Sequence, residues 1–376
     1  MNKLFLTAGT WDFKAQDEKG ISVFEVKEDG SLEFLKSYDE TVSAGSQVYD
    51  SKRHILYVGD ECEGHPGKRG GGGYVRAYSM NPETGDLTFL SETGTLMTKA
   101  SKLALDPSGK YLLVSCHGGR NFVTRVTYNE DGLPANEVCY DDAGVVLIGL
   151  KEDGTFDKVL DAVVHNGTTA LKNQVISHPH SVYGSPDGSV YFSCDKGLDY
   201  IYAYAIDRER DRLIRLVQTK IPYASAPRYG CFHPELPVFY ENNETSPHLY
   251  AFRYDKRSGY LEEISDIVTY TEENKGSQSD VLVSVDGKYL YDTVRGEHGH
   301  ITVCSINQED GSLTFIKNVE NSGSLRGIAL SPDGKYLYGA SPEANEIICF
   351  ELKDGIPEDT GKRFTLKHAA NLGFVK

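Results

Sequence analysis

Apolar and polar residues alternate in short runs along much of the chain, as in Ile301-Thr-Val-Cys-Ser-Ile306 and Leu313-Thr-Phe-Ile-Lys317, and Ile201-Tyr-Ala-Tyr-Ala-Ile206 alternates small and aromatic side chains with the same period. A period of two places successive side chains on opposite faces, which predicts half-buried strands. Four segments repeat one pattern: Leu103–Val114, Val182–Ser193, Val281–Asp292 and Ile328–Gly339 each carry an apolar run, a turn closed by Gly109, Gly188, Gly287 or Gly334, and a second apolar run. Each predicts a β-hairpin, because glycine supplies the positive φ that the turn needs. Gly287 and Gly334 stand 47 residues apart and Gly188 and Gly287 stand 99 apart, so one copy is hidden between the latter two. It is Tyr229–Tyr240, with Leu236 at the glycine position, and a further copy, Gln47–Val58, has Arg53 there.

Each hairpin is followed by a third and a fourth strand, which together make the four-stranded blade of a β-propeller. Six copies are complete. A seventh, N-terminal piece holds Leu4–Thr10, Ile21–Val26 and Leu32–Ser37 and lacks an innermost strand, for which Leu372–Val375 is spare. The expected architecture is an all-β, seven-bladed propeller spanning 1–376 as one domain, its ring closed by the C-terminal strand. Gly109 and Gly188 are 79 residues apart, so the third blade carries an insertion, expected within Asn129–Ser177. The many tyrosines at strand positions (Tyr111, Tyr289, Tyr291, Tyr336, Tyr338) are expected to pack between blades.

Composition narrows the function. The formal net charge of −16 argues against nucleic-acid and membrane-surface partners, yet leaves room for a small anion bound by a local arginine cluster, because salt screens distant charge beyond roughly 10 Å. Seven scattered cysteines without a C-x-x-C pair suggest reduced thiols. The apolar run in Met1–Thr10 is too short for a signal peptide, so a cytoplasmic location is expected.

If the first strands line the central channel, residues eight before and eight after the turn position ring its mouth. Before the turn these are Gly45, Ser101, His180, Arg228, Ser279 and Arg326; after it, Glu61, His117, Lys196, Glu244, Arg295 and Pro342. Positions needed by a repeating scaffold repeat, whereas these vary and are rich in titratable groups, which marks a site. His180, Arg228, Glu244 and Arg295 fall on three neighbouring blades.

His165-Asn-Gly167, Gln174 and His178-Pro-His-Ser-Val182, with Cys194–Asp199, Gly72-Gly-Gly-Tyr74, Ala226–Pro234, Asn243-Glu244 and Val294-Arg-Gly296, resemble the motifs of the seven-bladed propeller lactonases. That family includes bacterial 6-phosphogluconolactonase and the fungal carboxy-muconate lactonizing enzyme. The resemblance covers nearly the whole chain. It implies His180, Arg228, Glu244 and Arg295 as catalytic residues, and His178, His117, Tyr229, Asn243, Asp195 and Glu61 are the candidates for substrate binding. Tyr229 stands where the family has His and Cys116-His117 where it usually has Asn-Tyr, departures that bear on the substrate.

The expected activity is hydrolysis of a sugar lactone, 6-phosphogluconolactone or a related aldonolactone. Glu244 or His180 would take the proton of water, one arginine would stabilise the oxyanion, and the other would hold a carboxylate or phosphate. A muconate-type cycloisomerase and a propeller scaffold without chemistry are the alternatives. The expected partner is a small anionic lactone, acted on by a monomer or homodimer. His178/His180, His298/His300 and Glu61-Cys62 with His65 have ligand-like types, but they lack a companion carboxylate set, so neither a metal nor another cofactor is expected.

Overall fold

The computed structural model describes residues 3–11, 20–64, 70–120, 122–167, 174–320 and 323–375. In the repeated turns, Gly188, Gly287 and Gly334 sit at φ of 65, 74 and 71°. Their N–H groups donate to the carbonyls of Ser185, Ser284 and Ser331 at 2.8, 2.9 and 2.8 Å. Each serine hydroxyl then donates to the turn aspartate and accepts from the N–H of the residue that opens or directly precedes the second strand. In the hidden copy His233 takes over this task, its Nδ1 accepting from the N–H groups of Glu235 and Leu236 at 3.1 and 2.9 Å. With the turn tied from the side, no left-handed glycine is required. In the Gln47–Val58 copy the left-handed residue is His54 (φ 54°), one place beyond Arg53.

Seven four-stranded antiparallel sheets follow one another around the ring. From the centre outward, blade one is Ala369–Val375, Leu4–Thr10, Gly20–Val26 and Leu32–Tyr38, and blade two opens with Ala44–Asp50 and Ile55–Asp60. Blades three to seven begin with the hairpins Ala100–Leu105/Tyr111–Cys116, Pro179–Gly184/Tyr191–Asp195, Pro227–Phe232/Val238–Asn243, Ser277–Val283/Tyr289–Arg295 and Gly327–Leu330/Tyr336–Ser341. The spare C-terminal strand closes the ring, with Phe5 opposite Val375 and Ala8 opposite Leu372. Second strands such as Ile55–Asp60, Tyr111–Cys116 and Val238–Asn243 are buried along their whole length, while fourth strands such as Leu261–Val268 face solvent. This gradient places the apolar residues between blades, where neighbouring sheets face each other.

A tyrosine clasp recurs at the blade boundaries. The hydroxyls of Tyr57, Tyr240, Tyr291 and Tyr338 donate to the carbonyls of Gly154, Gly311, Gly355 and Gly30 in the following blade, at 2.7 to 2.9 Å. Tyr338 thereby joins blade seven to blade one, and Tyr111 reaches Asp211 in the same way. The inserted segment is a separate two-stranded ribbon, Phe122–Tyr128 with Pro134–Tyr140. It begins before the expected Asn129–Ser177 window, because the alternating Phe122–Tyr128 run imitates a third strand. The true third strand of that blade is Gly144–Leu150.

Candidate active site at the ring mouth

All seven blades meet at one end of the axis around a cavity of about 330 Å³. Blade four contributes His180 from its first strand and Lys196 from the end of its second. Blade five contributes Arg228 and Glu244 from the equivalent places, blade six Arg295, and blade seven Arg326. Trp11, Glu61 and the blade-three residues Lys99, His117 and Arg120 complete the wall. Six cations thus surround two carboxylates in a chain of net charge −16. Low-dielectric walls focus that local positive field, which is set by the cavity's own groups rather than by the net charge of the outer surface.

Arg228 is the best-fixed group. It is 1% exposed, its Nε donates to Glu244 Oε2 at 3.0 Å, and its Nη1 donates to the carbonyl and hydroxyl of Ser279 at 2.6 and 3.1 Å. Its Nη2 makes no hydrogen bond with any described residue. Lys196 Nζ donates to both oxygens of Glu244 at 3.2 and 3.0 Å. Arg295 donates from Nη2 to Ser277 Oγ at 3.1 Å, and its buried Nε has no partner among the described residues. A rigid guanidinium with unused N–H groups facing a cavity is the arrangement that stabilises a developing oxyanion or grips a carboxylate.

The family model for the lactonases with a seven-bladed β-propeller matches residues 5–374. The chain belongs to this lactonase family. It is 26% identical over 308 residues to a 6-phosphogluconolactonase of Bacillus subtilis, covering 80% of this chain and 78% of that one. It is 25% identical over 306 residues to a 6-phosphogluconolactonase of Formosa agariphila, with coverage of 79% and 78%. The solved structure of a periplasmic gluconolactonase from Pseudomonas aeruginosa superposes over 100% of this chain and 99% of its own with a TM-score of 0.85 at 22% identity, a likeness of fold.

Electrostatics divides the titratable groups of this lactonase. Burial pushes the His180 imidazole well below its usual range, and Arg228, Lys196, His117 and Arg326 push it further. It is therefore neutral at neutral pH, with a buried Nδ1 that has no partner among the described residues. Burial, Lys196 and His178 act on His117 in the same sense. Burial alone would raise Glu244, but Lys196, Arg228 and Arg295 hold it well below the usual carboxylate range. Burial and Arg228 bring Arg295 down to about 10. Burial raises Glu61, against the pull of Arg326 and the Trp11 N–H. A neutral imidazole has a lone pair with which to accept a proton, whereas a carboxylate locked between cations resists one.

Among the expected substrate-binding residues, the cavity wall contains His117 and Glu61 and leaves out His178, Tyr229, Asn243 and Asp195. These four lie behind the wall, held by contacts within the protein. Asp195 accepts from His165 Nδ1, Ser177 Oγ and the His178 N–H at 2.9, 2.7 and 2.8 Å. His178 stacks on His117 at 4.6 Å and donates from Nδ1 to the His117 carbonyl at 2.9 Å. Asn243 donates to the His248 carbonyl at 2.9 Å. The Tyr229 ring, 2% exposed, lies 4.5 Å from the Arg228 guanidinium, 4.7 Å from Lys102 Nζ and 5.0 Å from the His180 ring. Polar type at the mouth end of a strand does not reveal which side of the wall a side chain faces.

The shared motif is thus largely a frame for the wall. Gln174 donates to Asp199 and to the Lys196 carbonyl, and Asp199 accepts from the N–H groups of Ala224 and Ala226, fixing the approach to Arg228. His300 is turned toward the Thr269 and His298 carbonyls, and His65 lies outside the described residues. Among those described, no three His, Cys, Asp or Glu side chains gather as a metal centre requires. Lys99, Arg120 and Trp11 escaped sequence reasoning because they stand in loops outside the blade period. Lys99 precedes the strand Ala100–Leu105 with a left-handed backbone (φ 60°), so the two-residue alternation that places strand side chains does not reach it.

Proposed function

We propose that this chain hydrolyses 6-phosphogluconolactone or a closely related aldonolactone at the ring mouth. The observation that carries the proposal is the convergence of neutral His180 with Arg228, Glu244 and Arg295 in one positive cavity, in a member of a lactonase family. The relatives named 6-phosphogluconolactonase supply the substrate class.

In this mechanism His180 takes a proton from water as its oxygen bonds to the lactone carbonyl carbon. The guanidinium of Arg228, aimed by Glu244 and Ser279, stabilises the oxyanion. Collapse breaks the bond between that carbon and the ring oxygen, and the proton held by His180 passes to the departing oxygen. The product is the open-chain hydroxy acid, the second hydrogen of the water stays on its carboxyl group, and His180 ends in the neutral form in which it began. Arg295, together with Lys99, Arg120 and Arg326, provides the seat for a phosphate or carboxylate at the far end of the substrate.

The test is turnover of 6-phosphogluconolactone, glucono-1,5-lactone and carboxy-muconate, each measured against its spontaneous reaction. Accelerated opening of either sugar lactone, with no conversion of carboxy-muconate, is the expected result. Conversion of carboxy-muconate alone would replace hydrolysis by cycloisomerisation. Activity that disappears in chelator and returns with Ca²⁺ or Zn²⁺ would add a metal to the mechanism.

A further inference from the structure

The two carboxylates of the cavity are held in different ways. Glu244 has both oxygens engaged by Lys196 and Arg228. Glu61 uses Oε2 to accept from the indole N–H of Trp11, while its Oε1 meets no hydrogen-bond donor among the described residues and lies 4.0 Å from Arg326 Nη2. Its side chain is only 6% exposed, yet it lines the cavity. The position is built for it: a Cβ at Gly45 would stand 2.5 Å from the Glu61 carboxyl carbon and Oε1, so the blade-two inner strand leaves a space that only glycine leaves. Arg326, which approaches that oxygen, is itself stacked 4.2 Å from the Trp11 ring.

A buried carboxylate in an anion-binding cavity repels the ligand that the cations attract. Its presence is favourable only when the ligand also brings hydrogen-bond donors, because an ionised acceptor makes the stronger hydrogen bonds. Hydroxyl groups are such donors. Resting on the hydrolase reading, we propose that Glu61, seated over Gly45 and braced by Trp11, accepts hydrogen bonds from the hydroxyls of the substrate and so selects polyhydroxylated lactones and acids over anions that lack hydroxyls.

The experiment is calorimetric binding of 6-phosphogluconate and of adipate, a six-carbon dicarboxylate without hydroxyls, to the full chain and its Glu61→Ala and Glu61→Gln variants. In Glu61→Ala, 6-phosphogluconate is expected to weaken about 10- to 100-fold, the loss expected for hydrogen bonds to a charged acceptor. Adipate is expected to bind as well or more tightly, since a repelling charge is gone, and Glu61→Gln falls between. Gly45→Ala keeps the glutamate but displaces its carboxylate, and a folded Gly45→Ala, checked by thermal unfolding, is expected to show the same selective loss. Equal weakening of both ligands in Glu61→Ala overturns the proposal. If the chain opens no lactone while the selective binding persists, the hydrolase reading fails and the hydroxyl-reading role of Glu61 stands.

Discussion

The two ends of the blade hairpins obey opposite rules. At the turn end the same solution recurs: Ser284 and Ser331 each bind a turn aspartate and the second strand's first N–H in the same way, and Gly287 and Gly334 share a φ within a few degrees of each other. At the mouth end the residue changes from each blade to the next. His180, Arg228, Ser279 and Arg326 occupy one equivalent position, and Ser279 ties blades together by donating to the Arg326 carbonyl and accepting from Arg228. Uniformity at one end builds the ring, and variation at the other builds a pocket. Substitutions at the mouth are therefore expected to change rate with little effect on stability, and those at the turns the reverse.

The largest effect is expected from His180→Asn. Removing the proposed general base should lower kcat/KM by about 10²- to 10⁴-fold while leaving the thermal midpoint near neutral pH almost unchanged. In the wild type, kcat/KM should stay level as pH falls past the ordinary imidazole pKa of about 6.5, because the folded-state value is depressed. The same depression means that the unfolded chain binds the proton first, so the folded state loses stability as pH falls below about 6.5. His180→Asn should lose less in that window, as unfolding measured at pH values on both sides of it would reveal.

Glu244→Gln crosses the boundary between the two rules, because Glu244 both aims Arg228 and neutralises Lys196. Activity is expected to fall about 10- to 100-fold, less than for outright loss of an oxyanion donor. Stability should fall by about 1 kcal/mol, since the side chain is 26% exposed and solvent screens the pair. A carboxylate with a depressed folded pKa stabilises fully above its unfolded value of about 4.3 and loses that contribution as pH falls below it. The gap in stability between wild type and Glu244→Gln should therefore be complete at neutral pH and narrow below about pH 4. A gap that widens in acid would show that the Glu244 pairs do not hold the mouth.

The same division explains what the sequence reveals. The glycine spacing exposes the ring and even its closure, because the closing strand is missing from the N-terminal blade and present beyond the last. The ribbon Phe122–Tyr140 is harder to place, since its alternation satisfies the rule for an inner-sheet strand although Val126 and Tyr128 are 82% and 70% exposed. Ring arithmetic reaches His180, Arg228, Glu244 and Arg295 because these residues belong to the blade period. It cannot reach Trp11 or Arg120, which lie outside that period, and it cannot tell that Asp195 braces the wall from behind, because facing direction depends on packing rather than residue type.

At the turn end, Gly287→Ala tests uniformity from the other side. Its Cβ would lie 2.9 Å from His233 Nε2 with the backbone at φ 74°, and His233 Nε2 is the atom directed at the Gly287 carbonyl at 3.0 Å. The substitution should cost about 1 to 3 kcal/mol, disturbing blades five and six together, with kcat/KM per folded molecule unchanged. Loss of catalysis without loss of stability would break the separation between the two ends.

Ser331→Ala should have the smallest effect and isolates the turn hydroxyl. The hydroxyl donates to Asp333 and accepts from the N–H groups of Lys335 and Tyr336 at 3.1 and 2.9 Å, but the turn also keeps its Gly334-to-Ser331 backbone bond. Neighbouring water can replace part of what is lost at Lys335, whose side chain is exposed. The expected cost is about 1 kcal/mol, read as a lower midpoint in chemical denaturation with an unchanged slope and an unchanged rate of lactone opening. Blade seven is the ring's closing partner through Tyr338 and Gly30, so a cost well above that for the equivalent Ser284→Ala would mean that ring closure, rather than the turn itself, depends on this serine.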